Sequence, residues 1–131
     1  MTLVLDTSIL IDIERKEDVV IEKIKELIEI HQAPASITFI NYFEFLYGLQ
    51  QKSPKNKEKS FAFLERFHFL EPTKRTADIL SGMRYKYEKL GISFSLSDLM
   101  IASQVIENDM TLVTSDKHFQ EINELKAMII L

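Results

Sequence analysis

The apolar positions of this chain change period several times, and those changes divide it into short strands and amphipathic helices. Leu3, Val4 and Leu5 form an unbroken apolar run, as expected of a strand covered on both faces. Over residues 19–31, Val20, Ile24, Leu27 and Ile28 fall at helical spacing. Pro34 precedes a second predicted strand, Ala35 to Phe39. Residues 41–51 are apolar and aromatic and long enough for a helix, and a further helix is predicted over residues 57–67. His68 to Leu70 reads as a strand ended by Pro72. Over residues 76–90, Leu80, Met83, Tyr87 and Leu90 share one helical face, and Gly91 supplies the stop. A helix over residues 97–108 opens at Ser95 or Ser97, and Thr111 to Thr114 and Ala127 to Leu131 are two more short apolar strands. Strands alternating with helices imply parallel strands, right-handed crossovers and helices on both faces of one sheet.

The chain has 131 residues, which fits a single domain, 1–131, with one core. Hydrophobic residues make up 46% of it, ordinary for a folded protein and too many for a disordered one. It has no cysteine, which excludes disulfides, thiolate metal sites and cysteine nucleophiles and suits a cytoplasmic location. No apolar run approaches the roughly 18 residues of a membrane span, and no basic stretch precedes the first strand as in a signal peptide. The net charge of −4 argues against attraction of nucleic acid by long-range field alone, although bound cations and local basic patches can reverse that field.

The acidic residues stand out against this frame. In open parallel sheets ligands bind beyond the carboxyl ends of the strands. Asp6 directly follows the first strand, and Asp116 follows the fourth; on neighbouring strands about 4.8 Å apart the two carboxylates would nearly touch. Each alone also suits a helix cap or turn. Asp98 sits in a first helical turn, at offsets of three, four and seven from Ile101, Ala102 and Val105, so it shares their inward stripe. Its local alternative is a capping box opened by Ser95. Glu44 lies among aromatics, with Gly48 one turn later on the same face. A helical glycine costs about 1 kcal/mol against alanine, so it marks either room for a ligand or close helix packing. Two carboxylates about 5 Å apart repel by roughly 3 kcal/mol at an effective dielectric near 20. A cluster of four must therefore take up protons or bind cations. Oxygen ligands without cysteine point to Mg²⁺ or Mn²⁺, and such ions suit hydrolysis of a phosphodiester.

Four stretches together resemble the PIN-domain ribonucleases, and most closely the VapC-type toxins of toxin–antitoxin pairs. They are Leu3-Val-Leu-Asp-Thr-Ser-Ile-Leu-Ile-Asp12, Ser36-Ile-Thr-Phe-Ile-Asn-Tyr-Phe-Glu-Phe-Leu-Tyr-Gly48, Ile92-Ser-Phe-Ser-Leu-Ser-Asp-Leu-Met-Ile-Ala102 and Thr111-Leu-Val-Thr-Ser-Asp-Lys-His-Phe119. The resemblance implies a three-layer α/β/α fold with a parallel sheet of about five strands in the order 3-2-1-4-5. It implies that Asp6, Glu44, Asp98 and Asp116 are the catalytic, metal-binding acids, with Thr7, Thr114 and Ser115 as supporting hydroxyls. It further implies an Mg²⁺- or Mn²⁺-dependent endoribonuclease acting on transfer or ribosomal RNA, a homodimer, and silencing by an antitoxin protein.

Other features are weighed on the residues themselves. Lys52, Lys55, Lys57 and Lys59, or Lys74, Arg75, Arg84 and Lys86, could contact phosphates, although charge runs are commonly just solvated faces. Phe61, Phe63, Phe67 and Phe69 read as core plus an apolar strip, and the resemblance to the toxins implies that part of this strip forms an antitoxin groove. Exposure of at least two of these rings would support the groove. His31, His68 and His118 are read as structural or exposed. Competing functions are a housekeeping RNA-processing nuclease of the same family and a catalytically silent binding module. A phosphoacceptor receiver domain fits poorly, because Asp6 stands alone and no aspartate ends the second or third predicted strand.

Overall fold

The computed structural model describes residues 2–32 and 34–130, without the side chains of Pro54 and Lys55. Five strands, β1 (Leu3–Leu5), β2 (Ser36–Thr38), β3 (His68–Leu70), β4 (Thr111–Thr114) and β5 (Ala127–Ile129), form one sheet. All pairings are parallel and the order is β3-β2-β1-β4-β5, as expected. Leu131, included in the last predicted strand, lies outside the described residues. Six helices flank the sheet: α1 (Thr7–Glu14), α2 (Asp18–His31), α3 (Phe39–Leu49), α4 (Pro54–Leu64), α5 (Lys74–Lys89) and α6 (Leu96–Glu107).

Side chains alternate along each strand, so one sheet feeds two cores. Val4 and Leu112 face a cluster built with Met83 and Tyr87 of α5 and with Leu99, Ile101, Ala102 and Val105 of α6. Leu3, Leu5, Ile37 and Val113 face the other side, with Ile9 and Leu10 of α1, Ile24 of α2, Phe45 and Leu49 of α3 and Leu64 of α4. Both faces are covered, which is why the strands read as apolar runs.

Three elements refine or add to the expectation. The sequence left the segment after Asp6 as a helix or a turn; it is the helix α1. It has eight residues, with Ile9 and Leu10 buried in the core, and it touches α2 and α3. A 3₁₀ turn at Lys117–Glu121 was not expected, and its short length gives no period to read. The helix predicted over residues 57–67 begins earlier, with Pro54 in its first turn after the N-cap Ser53.

Gln104 joins the elements that carry the site. It is fully buried, accepts from Phe39 N–H at 2.9 Å and donates to the Leu70 carbonyl at 2.8 Å. One α6 side chain thus ties the start of α3 to the end of β3. Gln104→Ala is expected to cost about 2–4 kcal/mol in denaturant unfolding, because both partners lose their bond in a dry setting. A cost below about 0.5 kcal/mol would show that the bonds are replaced by water.

Candidate active site

The strand order reverses direction at the β1–β4 pair, the topological switch point where such sheets bind ligands. Asp6 ends β1 there. Its side chain is 7% exposed and sits in a net of donors: Thr114 Oγ1 at 2.7 Å, Ser8 Oγ at 3.2 Å and Asn41 Nδ2 at 3.2 Å. Burial pushes its carboxyl above the ordinary carboxylate value, against these hydrogen bonds, of which that from Thr114 is strongest in holding it charged.

Glu44 reaches the same place from α3. The helix is anchored by Thr38, whose hydroxyl accepts from Asn41 N–H while the Asn41 side chain accepts from Thr38 N–H. Asn41 is one turn ahead of Glu44, and its amide also donates to Thr7 Oγ1 at 3.1 Å. Thr7 in turn donates to Glu44 Oε1 at 2.6 Å. The chain Asp6–Asn41–Thr7–Glu44 is therefore continuous. Glu44 is half-buried, and burial raises its carboxyl pKa first, with the negative charges of Asp6 and Asp98 adding to the rise.

Asp98 comes from the first turn of α6. Ser95 Oγ accepts from Asp98 N–H at 3.1 Å, but the return bond that completes the box at Thr38 and Thr73 is not formed here. The Asp98 side chain is half-buried and acts on Glu44 by charge. Glu44 thus stands within charge range of both Asp6 and Asp98.

Asp116 stands at the rim. Leu5 pairs with Val113, so Thr114 lies beside Asp6, and its hydroxyl bridges the Asp6 carboxylate and the Asp116 N–H. The exposed Asp116 carboxylate accepts His118 N–H at 2.9 Å as the cap of the 3₁₀ turn, and its own N–H donates to Thr114 Oγ1 at 3.0 Å. Of the supporting hydroxyls, Thr7 and Thr114 bind the acids, whereas Ser115 joins through its backbone N–H to Ser8 Oγ. Sequence reasoning missed Asn41 and Ser8. The Thr38-x-x-Asn41 spacing was the available signal for the first.

Among the described residues, no three acidic or imidazole groups stand close enough to share one metal ion in the arrangement seen. The donor chemistry nevertheless fits a hard cation: every candidate ligand is an oxygen, and two acids are held above their ordinary pKa. Glu44 and Gly48 line one cleft of about 410 Å³, and a methyl group added at Gly48 would meet nothing within 4 Å. Gly48 therefore leaves open space beside Glu44 and does not serve close helix packing.

The phenylalanine strip is less exposed than two free rings would require. Phe61 is 46% exposed, but Phe63 and Phe67 pack edge to face and Phe69 packs on Tyr42, each half-buried. His68 and His118 are exposed and His31 is half-buried. Arg84 and Lys86 are engaged with Glu88 and Glu124, while Lys74 and Arg75 are exposed. No helix among the described residues is long and apolar enough to cross a membrane.

The match to the PIN domain family spans residues 3–125, and the chain belongs to that family. Within it, the chain is similar to Ribonuclease VapC2 of Rickettsia felis, with 30% identity over 93 residues, 69% of each protein. Its fold matches the Rickettsia felis VapBC2 structure bound to a DNA fragment from their promoter, with a TM-score of 0.88, 24% identity and 100% of each chain covered. It also matches VapBC-1 of nontypeable Haemophilus influenzae, with a TM-score of 0.80, 24% identity and 98% of each chain covered.

Proposed function

We infer that this chain is a divalent-metal-dependent endoribonuclease of the VapC type, hydrolysing RNA phosphodiester bonds as the toxin of a toxin–antitoxin pair in the cytoplasm. The observation that carries the reading is Glu44 lying within charge range of both Asp6 and Asp98 at the switch point of a PIN-family sheet, with Asp6 and Glu44 made costly to ionise by burial. Mg²⁺ or Mn²⁺ would be held by Asp6, Glu44 and Asp98, with Asp116 contributing from the rim. Bound there, such ions supply activation of water and charge neutralisation at phosphorus.

The chain's own residues supply position. Thr114, Ser8 and Asn41 fix both oxygens of Asp6, so that acid is a rigid reference point. Thr7 steers Glu44 through a single bond, and Glu44 and Asp98, being half-buried, can rotate to close on a cation. The open space at Gly48 leaves room for the backbone of a polynucleotide beside Glu44. Transfer or ribosomal RNA is the proposed substrate class, on the family resemblance.

A cognate antitoxin is the proposed regulator; the toxin–antitoxin complexes among the structural neighbours support it. A homodimer is supported by the aromatic row that α3 turns outward, in which Phe43 is 54% exposed and Tyr47 67%. Their rings stack at 6.2 Å on a face that water would otherwise cover.

The test is direct. Purified protein incubated with RNA and Mn²⁺ or Mg²⁺ should cut it internally, and a chelator should stop the cutting. Equal cutting with chelator present, or none with either ion, would overturn the reading in favour of a silent binding module.

A further inference from the structure

Five of the sixteen Lys and Arg residues of this net-negative chain line a single cleft of about 560 Å³ between the end of α1 and α4. They are Arg15, Lys16, Lys52, Lys59 and Arg66, with Glu14 the one acid among the lining residues. Glu14 is already paired with Lys52, whose ammonium also donates to Ser60 Oγ at 3.1 Å. Among the described residues, none of Arg15, Lys16, Lys59 and Arg66 is in an ion pair. The side chain of Lys55 lies outside the described residues, and Lys57, expected as a phosphate contact from the sequence, does not line this cleft.

A cap function at the end of α1 accounts for Arg15 and Lys16, since cations favour a helix C-terminus. It does not account for Lys59, which lies inside α4. Nor does it explain why five cations gather in one groove whose single lining acid, Glu14, is paired with Lys52 through one oxygen, its other oxygen being buried without a partner. Like charges so arranged repel, and an anionic ligand relieves that repulsion.

The position of the groove decides which anion. Glu14, Arg15 and Lys52 line both this cleft and the one that holds Glu44 and Gly48. A ligand leaving the acidic site thus passes directly onto a row of cations. We propose that the cleft between α1 and α4 is a phosphate track that grips the single-stranded polynucleotide backbone on one side of the scissile bond, with Arg15, Lys59 and Arg66 as phosphate contacts. The proposal rests on the ribonuclease reading for its substrate. It adds that affinity comes from a segment displaced from the reacting phosphate, so that grip and cleavage are separable. It also explains how a protein of net charge −4 holds a polyanion: the attraction is local and not a property of the whole surface.

The test is binding without chemistry. A fluorescein-labelled 20-nucleotide oligouridylate is titrated with the protein in chelator, following anisotropy at several salt concentrations. Arg15→Gln, Lys59→Gln and Arg66→Gln combined should weaken binding at least tenfold. The combined change should also reduce the slope of log K against log salt by about 2, on the order of 0.7 per lost single-strand contact. Lys59→Arg with Arg66→Lys should retain the wild-type slope, which separates lost charge from damaged folding. An unchanged slope in the triple Gln variant overturns the proposal. So does a triple variant that binds RNA normally but loses an anionic peptide, because the cleft would then be a protein-docking site. Failure to cut RNA while this salt-dependent binding persists would overturn the nuclease reading and leave the track standing; cutting with no change of slope would do the reverse.

Discussion

Asp6→Asn is expected to lower RNA cleavage by more than about a thousandfold, the scale of losing one member of a catalytic set, while the melting temperature at pH 7 stays equal or rises. The two halves of this result have one cause. Asp6 is nearly buried, and burial raises its carboxyl pKa above the ordinary 3.8. A carboxylate whose folded pKa exceeds its unfolded one favours folding most fully below the unfolded value, and that favour is lost as pH rises through the folded value. Above that point the wild-type fold carries an ionised group it disfavours. Asn removes the charge and keeps the shape. Its carbonyl still accepts from Asn41, and its amide can donate to the Thr114 and Ser8 hydroxyls, which accept as well as donate. The gain over wild type should therefore be present at pH 7 and shrink as the pH approaches 3.8. A variant that melts well below wild type at pH 7 would show that the Asp6 charge is structural. That outcome has little support in the geometry, since Asp6 begins α1 without a side-chain capping bond.

Added Mn²⁺ or Mg²⁺ should produce the second large effect, a rise in melting temperature on the order of 10 °C at a hundred times the dissociation constant. Binding to the folded state alone at that excess contributes about 2.7 kcal/mol, and each kcal/mol moves the melting point by several degrees in a chain of this size. The rise should fade as the pH falls through the elevated pKa values of Asp6 and Glu44, because protons compete for the same oxygens. It should also be lost in Asp98→Asn, which removes one proposed ligand without touching the donors that fix Asp6. Differential scanning calorimetry with and without the ion checks this. Equal melting temperatures at pH 7, with and without a large excess of either ion, would deny that the acids form a cation site.

The layered architecture of parallel strands and helices was legible because both faces of the sheet are covered, whereas the strand order came from the family resemblance. Unbroken apolar runs such as Leu3–Leu5 and Thr111–Thr114 are what such strands must look like, and helices with a polar face must alternate with them. The helix α1 was less legible because its eight residues make only about two turns, too few to display a period. Glu44 stood out as a lone acid among aromatics, whereas Asp6, Asp98 and Asp116 each also suited a cap or a turn, the role that Asp116 has at the 3₁₀ turn.

What the linear chain determined, then, was roughly where each element runs and which acids stand at strand ends and in helix first turns, since burial period and charge placement are local properties. Only the tertiary structure decided which acids meet. The β1–β4 register sets Thr114 beside Asp6 and carries Asp116 outward to the rim, and the packing of α6 against α3 brings Asp98 to Glu44. Asn41 and Thr7, which wire Asp6 to Glu44, belong to the same class of information. A one-residue change in strand pairing would turn every such side chain to the other face, and no spacing along the chain records that choice.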